Sequence, residues 1–275
     1  MTADSPGIAT HPKFEFDNAG LARDYEEMSA ERQLKTGQAL AERLALRHGE
    51  HVLDVGCGTG LLAEHMAELV GPTGMVLGID PLPARIAIAK RRAREWLAFD
   101  VGDANDLSVL AETSFDVVVL NAVFHWLPDK ARPLAEFRRV LKKGGRIGLT
   151  TRPPGERTPL QQVRAEVLAE PPYVDYRQAL ERSLFRVDEA AMRKHLKDAG
   201  FRKIDVKVVP SEQVFADAET AIRYSEASSF GNFLGHLPEA LRDQARTEIC
   251  KRLEVLRAGQ PIVRRGERLV AVAFK

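Results

Sequence analysis

Between about residues 48 and 151, short apolar runs alternate with longer stretches of helical period. The runs His51–Val55, Met75–Ile79, Trp96–Val101, Phe115–Leu120 and Arg146–Thr151 predict strands. Phe115–Leu120 is continuous and β-branched, as expected of a strand buried on both faces of a parallel sheet. Helices are predicted for LLAEHMAELV after Gly60, PARIAIAKRRARE from Pro83, and Pro128–Leu141, which Lys142-Lys143-Gly144-Gly145 ends. Strands alternating with helices of this length imply right-handed βαβ units and an open, doubly wound, mostly parallel α/β sheet.

The flanks follow other rhythms. Residues up to about Pro12 form a polar start, and Leu21, Tyr25, Met28, Leu34, Leu40 and Leu44 recur at helical spacing, predicting one or two helices before Gly49. Beyond Thr151 the pattern changes. Residues 152–187 hold several prolines and helix-like stretches, Asp188–Ala199 is a helix with Asp188 as its cap and Gly200 as its stop, and Phe201–Val209 is a strand. Residues 210–266 read as mostly helical, and Arg268–Phe274 as the seventh strand. The expected organisation is therefore N-terminal helices over 1–47 and a core over 48–151, 188–209 and 267–275. Helical insertions at 152–187 and 210–266 would join the N-terminal helices as a cap.

Composition narrows the classes. The chain has 275 residues, 44% of them hydrophobic, enough for a proper core. Its formal net charge of +1 gives no overall attraction to nucleic acid or to anionic lipid. Two cysteines are too few for a disulfide framework or a thiolate metal cluster, so no metal is expected and a reducing, cytoplasmic setting is the default. The start MTADSPGIATHPKF lacks the pattern of a secretory signal, and no apolar run approaches the ~20 residues that cross a bilayer. A soluble protein is expected, with neither nucleic acid nor membrane as partner.

Candidate chemistry starts at His51-Val-Leu-Asp-Val-Gly-Cys-Gly-Thr-Gly60. Glycines leaving a strand permit positive φ and let a ligand touch backbone. A dinucleotide site wants Gly-x-Gly-x-x-Gly, with a pyrophosphate at the helix N-terminus. Here the spacing is Gly-x-Gly-x-Gly, with Leu61 at the place of the third glycine. Asp54 would repel a pyrophosphate but suits an ammonium group. Asp80, ending the second strand, can accept bonds from both ribose hydroxyls, and Asp103, after the third, from an adenine amino group. An amine, a ribose diol and an adenine without phosphate describe S-adenosylmethionine.

The ordered motifs VLDVGCGTG, VLGID, VGDAND, FDVVVLNAVFHW and LKKGGRI resemble the class I S-adenosylmethionine-dependent methyltransferases, strongly over about residues 50–151 and loosely beyond. The resemblance implies S-adenosylmethionine as cofactor, with Asp54 and Gly56 beside its methionine portion. Cys57 belongs to the same loop, which Gly58 and Gly60 shape. Asp80 would hold the ribose, Pro81 or Leu82 would lie against the adenine, and Asp103 and Ala104 would meet its edge. Asn121, followed by Ala122, would reach the amino-acid part. Tyr25 resembles the aromatic of a lid helix that closes over the cofactor, which makes 1–47 a lid.

Methyl transfer needs alignment, exclusion of water and, for a hydroxyl acceptor, removal of a proton. Asn121-Ala-Val-Phe-His125-Trp126-Leu-Pro resembles a stretch of the trans-aconitate methyltransferases and, more distantly, of the quinone C-methyltransferases. His125 is the candidate base, with packing under the adenine or a backbone bond as its plainer role. Trp126 reads as a core or pocket-wall residue. Arg32 lies where trans-aconitate methyltransferases also have an arginine and could grip a substrate carboxylate; a surface ion pair with Glu27 or Glu31 is the other reading. Arg264-Arg265 could do the same or stay solvated. Tyr224, Phe230 and Phe233, with Gly231, Gly235 and His236, form either a pocket wall or the underside of a cap helix.

Lys90-Arg-Arg-Ala-Arg94 fits a solvated helix face better than a nucleic-acid patch. Arsenite methylation is disfavoured, since Cys57 belongs to the loop and only Cys250 remains. The expected activity is methyl transfer to an oxygen or carbon of a small-molecule metabolite, by a monomer or homodimer. An NAD(P)-dependent oxidoreductase and a non-catalytic cofactor-binding relative are the rival readings.

Overall fold

The computed structural model describes residues 14–179 and 185–275; the polar start up to Pro12 and part of the 152–187 segment lie outside them. Seven strands form one sheet: β1 His51–Val55, β2 Met75–Asp80, β3 Leu97–Val101, β4 Phe115–Asn121, β5 Leu141–Thr151, β6 Arg202–Phe215 and β7 Ile262–Phe274. Their order is β3-β2-β1-β4-β5-β7-β6, parallel from β3 to β5, with β7 antiparallel to both neighbours. The doubly wound sheet expected from the sequence is present. The strand order reverses between β1 and β4, where such sheets bind ligands at their carboxyl ends.

Helices cover both faces. α2 (Glu31–Leu44), α3 (Leu61–Val70) and α4 (Pro83–Ala89) bury Leu40, Leu44, Met66 and Ile86 against one face. α5 (Ala131–Val140) and α7 (Glu189–Asp198) bury Leu134, Phe137, Met192 and Leu196 against the other. Asp188 caps α7, its side chain accepting from the Ala191 N–H. A third core belongs to the cap: α6 (Pro159–Val167), α8 (Ala218–Ser228) and α9 (Glu239–Arg257) pack Leu160, Val163, Ile222 and Leu253 around Phe215 and Ile262.

The N-terminal helices start with α1, Ala19–Tyr25, capped by Asn18, whose side chain accepts from the Gly20 and Leu21 N–H groups. A single π-helical stretch, Glu26–Ala30, separates α1 from α2. Such insertions re-aim the side chains around them and recur at functional sites. This one follows Tyr25.

Three sequence expectations need correction. The helix PARIAIAKRRARE ends at Ala89 and passes through a 3₁₀ turn, Lys90–Arg92, because the chain must turn back into β3. The helix expected over Pro128–Leu141 starts only at Ala131, after the turn that Asp129 holds through the Ala131 N–H. Most consequentially, β6 runs to Phe215 and β7 begins at Ile262, so the helical insertion is shorter than 210–266 at both ends. The strand extensions pair Gln213 with Arg264 and Phe215 with Ile262 as an antiparallel ribbon reaching beyond the sheet. Its inward face carries polar residues, so the apolar alternation that identifies a half-buried strand is lost.

Candidate functional site

The β1–α3 loop is built around backbone that only glycine tolerates well. Gly56, Gly58 and Gly60 have φ of 71°, 58° and 89°. A Cβ on Gly56 would lie 2.3 Å from a Val123 methyl, and one on Gly60 2.8 Å from the Phe99 ring. The Gly56 and Cys57 N–H groups both donate to the Ile79 carbonyl, at 2.7 and 3.0 Å, fastening the loop to β2. Cys57 is buried and its thiol is held well above its ordinary range, first by burial and then by the Asp80 and Asp54 carboxylates. It packs in the core beneath the loop.

In front of this loop lies a cavity of about 410 Å³. Its floor is Gly56, Gly58, Asp80, Pro81, Leu82, Asp103, Ala104, Asn121 and Ala122, and its cover is Phe14, Tyr25 and Phe230. Arg85, in α4, is only 2% exposed and ties the cover down. Its guanidinium stacks 4.1 Å over Tyr25 and 4.8 Å over Phe230, donates to the Ala227 carbonyl at 2.7 Å and faces Asp17 at 3.7 Å. Ser29 and Ser228 meet at 3.0 Å, so α8 joins the N-terminal helices directly.

Two carboxylates differ sharply. Asp80 accepts from the Gly58 and Leu82 N–H groups at 2.9 and 3.0 Å, which fixes it at the cavity wall. Asp54, 1% exposed inside β1, lines a small adjoining recess with Tyr25, Gln33 and Asn121, and its Oδ2 has no hydrogen-bond partner. Burial, then the Asp80 charge, pushes its carboxyl up to about 7. A buried carboxyl oxygen with no partner beside a glycine loop is open to a cation or a donor from outside the chain. An α-ammonium group meets that need, and a ribose diol meets the remaining lone pairs of Asp80. The residues present fit the amino-acid and nucleoside parts of S-adenosylmethionine. Asp103 is exposed and already bonded to Asn105, leaving it at the outer edge. Gly60 stands behind the loop rather than in the cavity wall.

A second cavity, also of about 410 Å³, shares Gln33, Ala122, Trp126 and Ser228 with the first. Ala122 marks the junction: its φ is 61°, a left-handed conformation costly for alanine, and its N–H is held by the Thr150 carbonyl and hydroxyl at 3.1 and 3.0 Å. Thr150 also donates to Asn121, whose amide donates to the Gln33 carbonyl at 2.8 Å. The end of β4 is thus locked to β5 and α2 where the two cavities meet.

His125 lines this second cavity, with Nδ1 3.0 Å from the Thr151 hydroxyl. Burial, then the Arg186, Lys130, Arg152 and Arg264 charges, lowers its pKa to about 3, so the ring is neutral at physiological pH. Arg32 also lines the cavity, 5.8 Å over the Phe215 ring and 5.7 Å over Tyr224, with one terminal nitrogen buried and unpartnered. The surface-pair alternative does not form, because Glu31 pairs with Lys35 and Glu27 faces Arg223. Arg264 and Arg265 are not a pair before a strand but neighbours within β7. Arg264 therefore faces the cavity, whereas exposed Arg265 bonds Glu212 at 2.8 Å.

The aromatic cluster divides. Tyr224 and Phe233 wall the second cavity, Phe230 covers the first, and Trp126 borders both while packing 4.5 Å from Phe230. The basic run is engaged on the surface: Arg92 bonds Glu26 and Glu64, and Lys90 faces Asp100. Sequence reasoning missed Arg152, Arg164, Arg186 and Arg268, all in the second cavity's wall. A strand reading from Ile262 would have put Arg264 and Arg268 on one face; nothing local marked the other three.

Among the described residues, no helix is long and apolar enough to cross a membrane, and no three His, Cys, Asp or Glu side chains group to hold a metal.

Comparison with known proteins agrees with this fold. Residues 53–149 match the family model described as a methyltransferase domain. A demethylmenaquinone methyltransferase of Symbiobacterium thermophilum is 32% identical over 136 residues, 46% of this chain and 54% of that protein. The aklanonic acid methyltransferase DauC of Streptomyces sp. (strain C5) is 35% identical over 131 residues, 46% of this chain and 59% of that protein. The chain thus spans little more than half the length of these relatives. Among solved structures, Haemonchus contortus phosphoethanolamine N-methyltransferase 2, in complex with phosphomonomethylethanolamine and S-adenosylhomocysteine, superposes with a TM-score of 0.54 at 18% identity. That match covers 88% of this chain and 52% of the other, and shows a shared fold.

Proposed function

We propose that the protein, whose residues 53–149 match a methyltransferase domain, is a class I S-adenosylmethionine-dependent methyltransferase acting on an oxygen or carbon of a small molecule. The observation that carries this reading is the pair of adjoining cavities, one suited to the cofactor and one to an acceptor, meeting at Ala122, Trp126, Gln33 and Ser228. The methyltransferase relatives and the orphaned Asp54 oxygen support the choice of cofactor.

Asp54 takes the ammonium group, Asp80 the ribose diol, and Pro81 and Leu82 the adenine face. Bound in this way, the cofactor would supply a methyl group already activated on a sulfonium, with S-adenosylhomocysteine as its leaving group. The chain's own task is placement. Tyr25, Phe230 and Arg85 close the first cavity and exclude water, while the locked end of β4 fixes the passage between cavities. Arg32 grips the acceptor. His125, neutral and oriented by Thr151, contacts it and serves as its base if the acceptor is a hydroxyl. An anionic acceptor raises the proton affinity of His125 by cancelling the surrounding guanidinium charges.

The test is calorimetry with S-adenosylhomocysteine and NADH, followed by methyl-labelled S-adenosylmethionine and a panel of small acceptors. The reading expects S-adenosylhomocysteine to bind and label to reach an acceptor. Binding of NADH alone would replace it with an oxidoreductase. Cofactor binding with no transfer to any acceptor would replace it with a binding module.

A further inference from the structure

The second cavity is unusual in its charge. Six arginines reach its wall: Arg32 from α2, Arg152 after β5, Arg164 from α6, Arg186 before α7, and Arg264 and Arg268 from β7. Among the described residues, none of the six forms an ion pair with a carboxylate. Arg268 bonds only the Thr36 hydroxyl, and one nitrogen on each of Arg32, Arg164, Arg186 and Arg264 is buried without any partner. Among the described residues, the one carboxylate in the wall, Glu212, is spent on Arg265.

Like charges brought together and desolvated are costly, and chains keep them where a ligand supplies the counter-charge. That cost lowers the proton affinity of the clustered guanidiniums. Burial, then repulsion from Arg264, pushes Arg152 down to about 9, and Arg264 and Arg268 are also lowered, burial first. Arg164 is pushed down to about 10 by burial alone. It belongs to a separate pole, stacked 4.7 Å over the Phe233 ring on the cap side.

We propose that the second cavity binds a small molecule carrying at least two separated oxyanion groups, one held by Arg152, Arg264 and Arg268 and the other by Arg164. Carboxylates and phosphates share the planar or tripodal oxygens that a guanidinium fork bonds in pairs. Phe233, Tyr224 and Trp126 supply apolar walls for the carbon frame between the poles. The assignment rests on the methyltransferase reading only in taking this cavity as the acceptor pocket.

The protein is first saturated with S-adenosylhomocysteine, then titrated calorimetrically with citrate, phosphonoacetate, acetate and neutral triethyl citrate. Citrate, phosphonoacetate or both should bind at about millimolar concentration or below, the pattern assigning carboxylate or phosphate, and added salt should weaken the binding. Arg164→Gln and Arg264→Gln should each weaken it at least about tenfold. In the unliganded protein Arg264→Met should leave the melting temperature unchanged or raise it, and should abolish the rise that citrate causes in the parent. A purely structural arginine would instead lower the melting temperature on removal. Triethyl citrate or acetate binding as well as citrate, or no binding of either polyanion, overturns the proposal. Failure of S-adenosylhomocysteine to bind while citrate still does would remove the cofactor assignment and leave the anion site standing.

Discussion

Asp54 makes the sharpest prediction, because its charge state links folding to ligand binding. Burial and the neighbouring Asp80 displace its carboxyl from the ordinary 3.8 to about 7. That displacement corresponds to roughly 4 kcal/mol between the two protonation states. The folded protein holds the proton where the unfolded chain has lost it, so Asp54 makes stability fall as pH rises from about 4 to about 7. Asp54→Asn removes this penalty, and the unliganded variant should be more stable than the parent at about pH 8 and nearly equal near pH 4. Ligand binding runs the other way. An ammonium group needs the carboxylate, so binding below pH 7 expels a proton and the dissociation constant of S-adenosylhomocysteine should rise about tenfold for each pH unit lost. Calorimetry at about pH 6, 7 and 8, repeated in buffers of different ionisation enthalpy, counts the proton directly. The Asp54→Asn variant should bind weakly and show a flat profile. A parent affinity that stays level across this range, with no proton released, refutes the assignment of the ammonium group to Asp54.

Gly56→Ala places a methyl 2.3 Å from Val123 at a φ of 71°; a cost of about 2–4 kcal/mol should appear in denaturant unfolding, with S-adenosylhomocysteine binding lost. Arg85→Met strands Asp17 in the interior and releases Tyr25 and Phe230, so stability should fall by about 3 kcal/mol and cofactor affinity with it. Asp17→Asn added to Arg85→Met should restore part of the stability and little of the affinity, which chemical unfolding and calorimetry together would read. His125, whose pKa is lowered to about 3, takes up a proton on unfolding below its ordinary value of 6.5, so stability should drop as pH falls from there. His125→Asn should be less acid-sensitive than the parent in thermal melts at about pH 4.5, and an unchanged sensitivity would contradict the burial of a neutral ring.

The first cavity was legible in the sequence because its requirements are local. A glycine loop after a strand, acids at two strand ends and an asparagine at a third sit at fixed offsets from apolar runs that announce themselves. Asp54, Gly56, Gly58, Asp80, Pro81, Leu82 and Asn121 all come together there or in the adjoining recess. Arg85 escaped notice because on a helix an arginine among isoleucines and alanines reads as a snorkelling surface residue. What buried it was the arrival of Asp17, Tyr25, Ala227 and Phe230, two of them more than 140 positions away in sequence.

The second cavity was illegible for a different reason. A net charge of +1 over the whole chain is an average, and it conceals how charges are sorted. Carboxylates are spent on the outside, where Glu31, Glu27, Glu64 and Glu212 meet Lys35, Arg223, Arg92 and Arg265. The guanidiniums left over come from α2, the residue after β5, α6, the approach to α7 and β7, and only the closure of the cap over the sheet brings them together. Alternation in the outer ribbon decides which arginine of each neighbouring pair enters: Arg264 turns in beside Gln213 and Arg265 turns out beside Glu212. A one-residue slip of the outer part of β7 would turn Arg264 and Arg268 out and bring Arg265 and Glu267 in. The specificity of the pocket is therefore fixed as much by strand register as by residue identity. Inserting one residue into β7 between Arg268 and Leu269, where the pairing with β5 holds the rest of the strand, should abolish citrate binding while leaving the Asp54 site, on the opposite side of the β5–β7 seam, able to bind S-adenosylhomocysteine.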